Sequence, residues 1–126
     1  MNDNQKSMPD IIDQETVGEV LEIMGDRFST MVENFILDTK AILSTMNIDR
    51  AVGEYKTIAE GAHSLRSSSH QVGAKLVSLQ AGEIETYIRK NMNDENSILF
   101  EKQVETMIFD LQNNFFEYQV QIKHYL

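Results

Sequence analysis

The sequence has no cysteine, one proline and six glycines among its 126 residues. Without cysteine there is no disulfide scaffold, no thiol nucleophile and no thiolate metal site. A single proline, Pro9, and so few glycines cannot supply the turns that a β-rich domain of this length needs. No apolar run approaches the ~18 residues of a membrane span. The polar start, Met1 to Asp10, lacks the apolar stretch of a signal peptide. No membrane partner is therefore expected, and cytoplasm is the expected location. Basic residues are scarce: 11 Lys and Arg against 20 Asp and Glu give a formal charge of −9. That balance argues against nonspecific nucleic-acid binding, which calls for a basic face toward the phosphates. No glycine-rich phosphate loop is present, so no ATP-binding motif is recognised and self-phosphorylation is not expected.

Apolar residues are present in ordinary proportion, 41%, and they recur at three- and four-residue steps. That spacing is helical. Residues 1–12 read as a loose tail, and residues 13–126 as one domain. A short helix follows Asp13, with Val17, Val20, Leu21 and Met24 on one face. Gly25 can end it, and Asp26 is placed to cap the next. The second helix carries Phe28, Met31, Val32, Phe35, Thr39, Ile42 and Met46 on one stripe. It runs to about Ala51, with Gly53 as the favoured break. A third helix, about Glu54 to Ser69, turns Tyr55, Ile58, Ala59, Ala62, Leu65 and Ser69 inward. After Gly73 the fourth has a seam of Val77, Ala81, Ile84 and Ile88. Asn91 to Ser97 is the last loop. The final helix aligns Val104, Ile108, Leu111, Phe115, Tyr118, Ile122 and Tyr125 at alternating steps of four and three, as bundle packing requires. The expected fold is all-α: an antiparallel up-down-up-down four-helix bundle with the short N-terminal helix capping one end.

One run carries chemistry: His63-Ser64-Leu65-Arg66-Ser67-Ser68-Ser69-His70. On a wheel of ~100° per residue, His63 lies roughly 110° from the centre of the apolar stripe. The imidazole should stand at the stripe's edge, open to solvent. Its same-face neighbours are Ala59, Glu60, Arg66 and Ser67. A neutral imidazole nitrogen is a competent nucleophile near neutral pH. Arg66 would steady a phosphoryl group placed on it. A surface histidine beside serine and arginine is commonplace on helices, however, so this run alone leaves both readings open. His63 and His70 lie ~10.5 Å apart along a helix axis and cannot share a zinc ion. No metal and no cofactor are expected. The serine triplet has no base placed by motif, and Met31 and Met46 fall on core stripes.

The wider pattern is His63-x-Leu65-Arg66-x-Ser68-Ser69-x-x-Val72-Gly73-Ala74, followed by Val77, Ala81, Ile84 and Glu85. It resembles the signature of histidine-containing phosphotransfer (HPt) domains, and Tyr55 to Ala62 lead into the histidine as they do in that family. The resemblance covers residues 26–90 at motif level. It implies a phosphoryl carrier, not an enzyme, which accepts a phosphoryl group on His63 from the aspartate of a receiver domain and passes it to another. It also implies receiver domains of response regulators or hybrid kinases as partners. A monomer is expected, and the initial Met and the lack of a second domain favour a chain that stands alone in the relay. The clustered aspartates with which a receiver holds Mg²⁺ are missing, so any metal comes from the partner. Two positions depart from the family: Arg66 stands where lysine is usual, and Ser67 where glycine is usual. Ser67, Ser68 and Gly73 are expected to provide access and backbone geometry. The resemblance also points to Glu85 and Arg89, which can face the histidine. Glu85 could hold the second ring nitrogen, or the pair could be an ordinary surface ion pair. The alternative function is a helical-bundle adaptor in which His63 is never phosphorylated; a receiver phosphatase on a similar bundle is a third reading.

Overall fold

Asp13 starts the first helix: its carboxylate accepts the Thr16 N–H at 3.2 Å, satisfying one of the donors that a helix N-terminus leaves free. The computed structural model describes residues 10–94 and 96–126. Helix α1 (Gln14–Met24) ends where the Gly25 N–H meets the Leu21 carbonyl at 2.8 Å. Gly25 there takes a φ of +57°, a conformation costly for residues with a Cβ.

Asp26 does not act as the cap the sequence suggested. Its own backbone is already helical, φ −62° and ψ −20°, so its carboxylate is not presented to the free N–H groups of α2 (Arg27–Ala51). The Phe28 N–H instead finds the Gly25 carbonyl at 3.0 Å. Helix α2 ends at Ala51 as expected, before Gly53 at φ +77°. Helix α3 (Tyr55–Gln71) buries all six residues assigned to its inner face. Helix α4 (Lys75–Lys90) buries its four seam residues and also Leu76. The last loop contains a single 3₁₀ turn, Met92–Asp94. Helix α5 (Ile98–Ile122) is capped by Ser97, whose hydroxyl accepts the Phe100 N–H at 3.0 Å. The chain is all-helical, and no strand occurs among the described residues.

The four long helices close a ring of contacts: α2 with α3, α3 with α4, α4 with α5, and α5 with α2. Inside it the apolar stripes meet. Phe35 of α2 sets its ring edge-on to Phe115 and Tyr118 of α5, with centroids 6.1 and 5.5 Å apart. Tyr55 of α3 meets Phe100 edge-on at 4.8 Å, and Tyr87 of α4 stacks on the same ring at 5.7 Å. Burying side chains of this size stabilises by about 1.5–3 kcal/mol each. Leu43 and Phe100 join the core beyond the expected stripes, while Tyr125 is only half-buried against it in a terminal 3₁₀ turn, Lys123–Tyr125. The Tyr118 hydroxyl donates to the Val72 carbonyl at 2.8 Å, joining α5 to the α3–α4 turn, and burial raises its pKa well above the ordinary phenol value.

Helix α1 packs on α2 and reaches that same turn. Ile12 pairs with Ala74, the Asp13 N–H donates to Gly73 at 2.9 Å, and the Lys75 N–H donates to Ile11 at 3.0 Å. The tail expected through Ile12 is therefore shorter at its inner end: Ile12 is 5% exposed and belongs to the core. Its apolar side chain fills the space beside the turn, which helical periodicity could not foresee for a residue outside a helix. The first nine residues of that tail lie outside the described residues. No helix among the described residues is long and apolar enough to cross a membrane.

Candidate functional site

The inner face of α3 orients its outer face. With Ala59, Ala62 and Leu65 locked in the core, His63 must project sideways from the middle of the helix. Its side chain is 66% exposed, at the edge of the buried stripe. The neighbour that matters comes from α4. Glu85 brings its carboxylate to His63 Nδ1, with Oε2 at 3.0 Å and Oε1 at 3.2 Å. An ionised carboxylate only accepts hydrogen bonds, so Nδ1 carries a proton, and in the neutral ring the lone pair is then on Nε2. Arg89, one turn further along α4, donates its Nε–H to the same Oε2 at 3.0 Å. Burial disfavours the charged Glu85. The hydrogen bonds from Arg89 and His63, with the charge of Arg89 and that of the ring whenever it is protonated, outweigh that effect and hold its pKa below the ordinary carboxylate value.

Arg66 and Ser67, one turn after His63, are exposed and line the same open groove between α3 and α4, which His70 also reaches. Ser68 is not brought there: it is half-buried, and its hydroxyl donates to the Leu65 carbonyl of its own helix at 3.3 Å. Gly73 lies at the groove's end, in the α3–α4 turn. There its φ of +73° and the side chain of Val17 leave no room for a Cβ. No cluster of metal-ligating side chains occurs among the described residues.

Two residues of α4 escaped the sequence reading. The Ser78 hydroxyl donates to the Arg66 carbonyl at 2.8 Å, tying the two helices together beside the site. Gly82 lies directly under the Arg66 side chain: a Cβ there would come within 3.3 Å of Cδ and 3.5 Å of Nε. A glycine in the middle of a helix is itself a signal, since alanine would be more stable.

A model of the Hpt domain matches residues 30–114. The chain belongs to the Hpt domain family. This Hpt domain is thus a histidine phosphotransfer protein of a two-component phosphorelay, a phosphoryl carrier whose family exchanges the group with receiver domains and kinases. Its fold is similar to the crystal structure of histidine-containing phosphotransfer protein B (HptB) from Pseudomonas aeruginosa PAO1. The two align with a TM-score of 0.79 and 19% identity, over 90% of this chain and 92% of that one. No curated protein matches the sequence.

Proposed function

We propose that His63 is the phosphoacceptor and that it carries the group between aspartates of receiver domains. The observation that carries this reading is the divided imidazole: Nδ1 is bound by Glu85, while the ring as a whole stays 66% exposed. The Nε2 lone pair attacks the phosphorus of an aspartyl phosphate. The P–O bond to the aspartate breaks and the carboxylate leaves with its electrons. The ring becomes cationic, its Nδ1–H stays on Glu85, and the opposite charge of Glu85 favours that state. On the return step a second carboxylate attacks the phosphorus and the P–N bond breaks. No proton is gained or lost.

Arg66 steadies the charge on the phosphoryl oxygens. Glu85 orients the ring, and Arg89 holds Glu85 in place. Ser67 lies where the incoming phosphate must pass. Ser68 and Gly73 act through the backbone, one within α3 and the other in the turn. The reading extends to the architecture. The four long helices alternate in direction, because their connections are short, and α1 covers the end formed by the α3–α4 turn. The packed domain starts at Ile11. The carrier is cytoplasmic and monomeric, takes no cofactor of its own and phosphorylates nothing from ATP. It meets each receiver over a small interface of under ~1,200 Å², as a partner that must be released requires.

The test is to mix the protein with a phosphorylated receiver and follow acid-labile, base-stable label. Label on the wild type that is lost in His63→Gln and kept in His70→Gln supports the assignment. Binding without label points to an adaptor. Loss of receiver phosphate without a labelled intermediate points to a phosphatase.

A further inference from the structure

Arg66 does not rise freely from α3. The end of its stem and its guanidinium carbon lie over Gly82 of α4, and the absent side chain of that glycine leaves them room. The contact is close: an alanine Cβ would lie 3.3 Å from Cδ, 3.5 Å from Nε and 3.8 Å from Cζ. Carbon atoms at their optimum stand about 3.5–4.0 Å apart, so the Arg66 stem would have to give way by a few tenths of an ångström. Ser78, one turn earlier on the same face of α4, donates to the Arg66 backbone carbonyl at 2.8 Å. The main chain of Arg66 is thus held by one small residue of α4, and its side chain is bedded on another. Nothing in the packing of the core asks for a glycine here: Gly82 is part-exposed, has no positive φ, and sits in the interior of a helix where it lowers stability.

We propose that Gly82 is a positioning residue for phosphoryl transfer, acting through Arg66: it is the bed that fixes where the guanidinium lies in the groove that His63 also lines. This rests on the reading of Arg66 as the cation of the transfer site. A guanidinium is broad and planar, and its hydrogen bonds have fixed directions, so a displaced stem misaims it. A lysine at position 66 would need no such bed. Its ammonium is a compact charge with rotatable donors and no plane to misaim, so a small shift of the stem costs it little.

The experiment is a set of variants at two positions, read by transfer from one phosphorylated receiver and by thermal melting. In the wild-type background, Gly82→Ala should slow transfer about threefold and Gly82→Leu about tenfold, because small misplacements of a charged group are costly in rate. Gly82→Ala should at the same time raise the melting temperature, since it removes a mid-helix glycine. A slower yet more stable protein excludes misfolding as the cause. In the Arg66→Lys background the same two substitutions should leave the rate of that background unchanged. Equal slowing in both backgrounds would overturn the proposal, because Gly82 would then act on receiver docking and not on the arginine. Unchanged transfer in Gly82→Leu would also overturn it. So would unchanged transfer in Arg66→Ala, since there would be no cation to position. The last result is told apart from failure of the carrier assignment by His63→Gln, whose label reports the acceptor alone.

Discussion

A single carboxylate organises the candidate site, and its protonation is the most direct thing to measure. Glu85 has a folded pKa below its unfolded value. The stability it contributes is therefore present above the unfolded value, near 4.5, and is lost as pH falls through the lower folded value. A ¹³C titration of the Glu85 side chain should show a midpoint below 4.5, and Arg89→Gln should move it upward by removing the larger of its two hydrogen-bonding partners. If Arg89→Gln leaves the midpoint in place, Arg89 does not hold the carboxylate. Glu85→Gln should slow transfer and shift the His63 ring toward a mixture of tautomers, visible in ¹⁵N chemical shifts. At Ser67 the expectation concerns bulk. Ser67→Gly should preserve or speed transfer and Ser67→Gln should block it, with circular dichroism unchanged in both. A Ser67→Gln protein that transfers at the wild-type rate would move the docking face elsewhere.

At the scale of elements, the ends of the helices differ in ways that composition does not reveal. Asp13 and Asp26 both precede helices, but only Asp13 bonds a free N–H, and that bond lowers its pKa. Asp13→Ala should therefore cost about 1 kcal/mol, while Asp26→Ala should be close to neutral, as chemical denaturation can show. Asp13 also contributes stability that disappears as pH falls through its lowered pKa. Gly73 is the most demanding residue of the α3–α4 turn. Gly73→Ala must adopt a positive φ and displace Val17, so a loss of about 1–3 kcal/mol is expected. The loss should appear in the melting temperature before it appears in transfer, because His63 lies more than two turns away along α3.

At the scale of the whole molecule, one polar contact joins what the helices alone would leave separate. The Tyr118 hydroxyl on α5 and the Val72 carbonyl at the α3–α4 turn meet at 2.8 Å inside the core. Tyr118→Phe leaves a buried carbonyl without that donor and should cost about 1–2 kcal/mol. The denaturation midpoint should fall while the slope stays constant, since the surface exposed on unfolding is unchanged. A fall in slope would mean that α5 has come loose as a separate unit.

Periodicity was enough to place the helices and most of their buried faces, because an apolar stripe every 3.6 residues has one way to leave water. The six inner residues of α3 followed from it directly, and with them the outward direction of His63. Local chemistry was less decisive. Asp26 has the right side chain for a cap, but the near-continuous passage from α1 to α2 gives its backbone the wrong conformation. Ile12 has no helical neighbours to put it in phase, and only the α3–α4 turn makes it core. The partners of the histidine needed the tertiary structure most. Glu85 stands 22 residues beyond His63 and was legible only through family resemblance, with an ordinary ion pair left open beside it. Gly82 gave no sign of its neighbour at all. A single sequence records which face of each helix turns inward; which residues of two facing helices stand level depends on how the helices slide and cross when they pack, and that register brings Glu85 to the imidazole and Arg66 over Gly82.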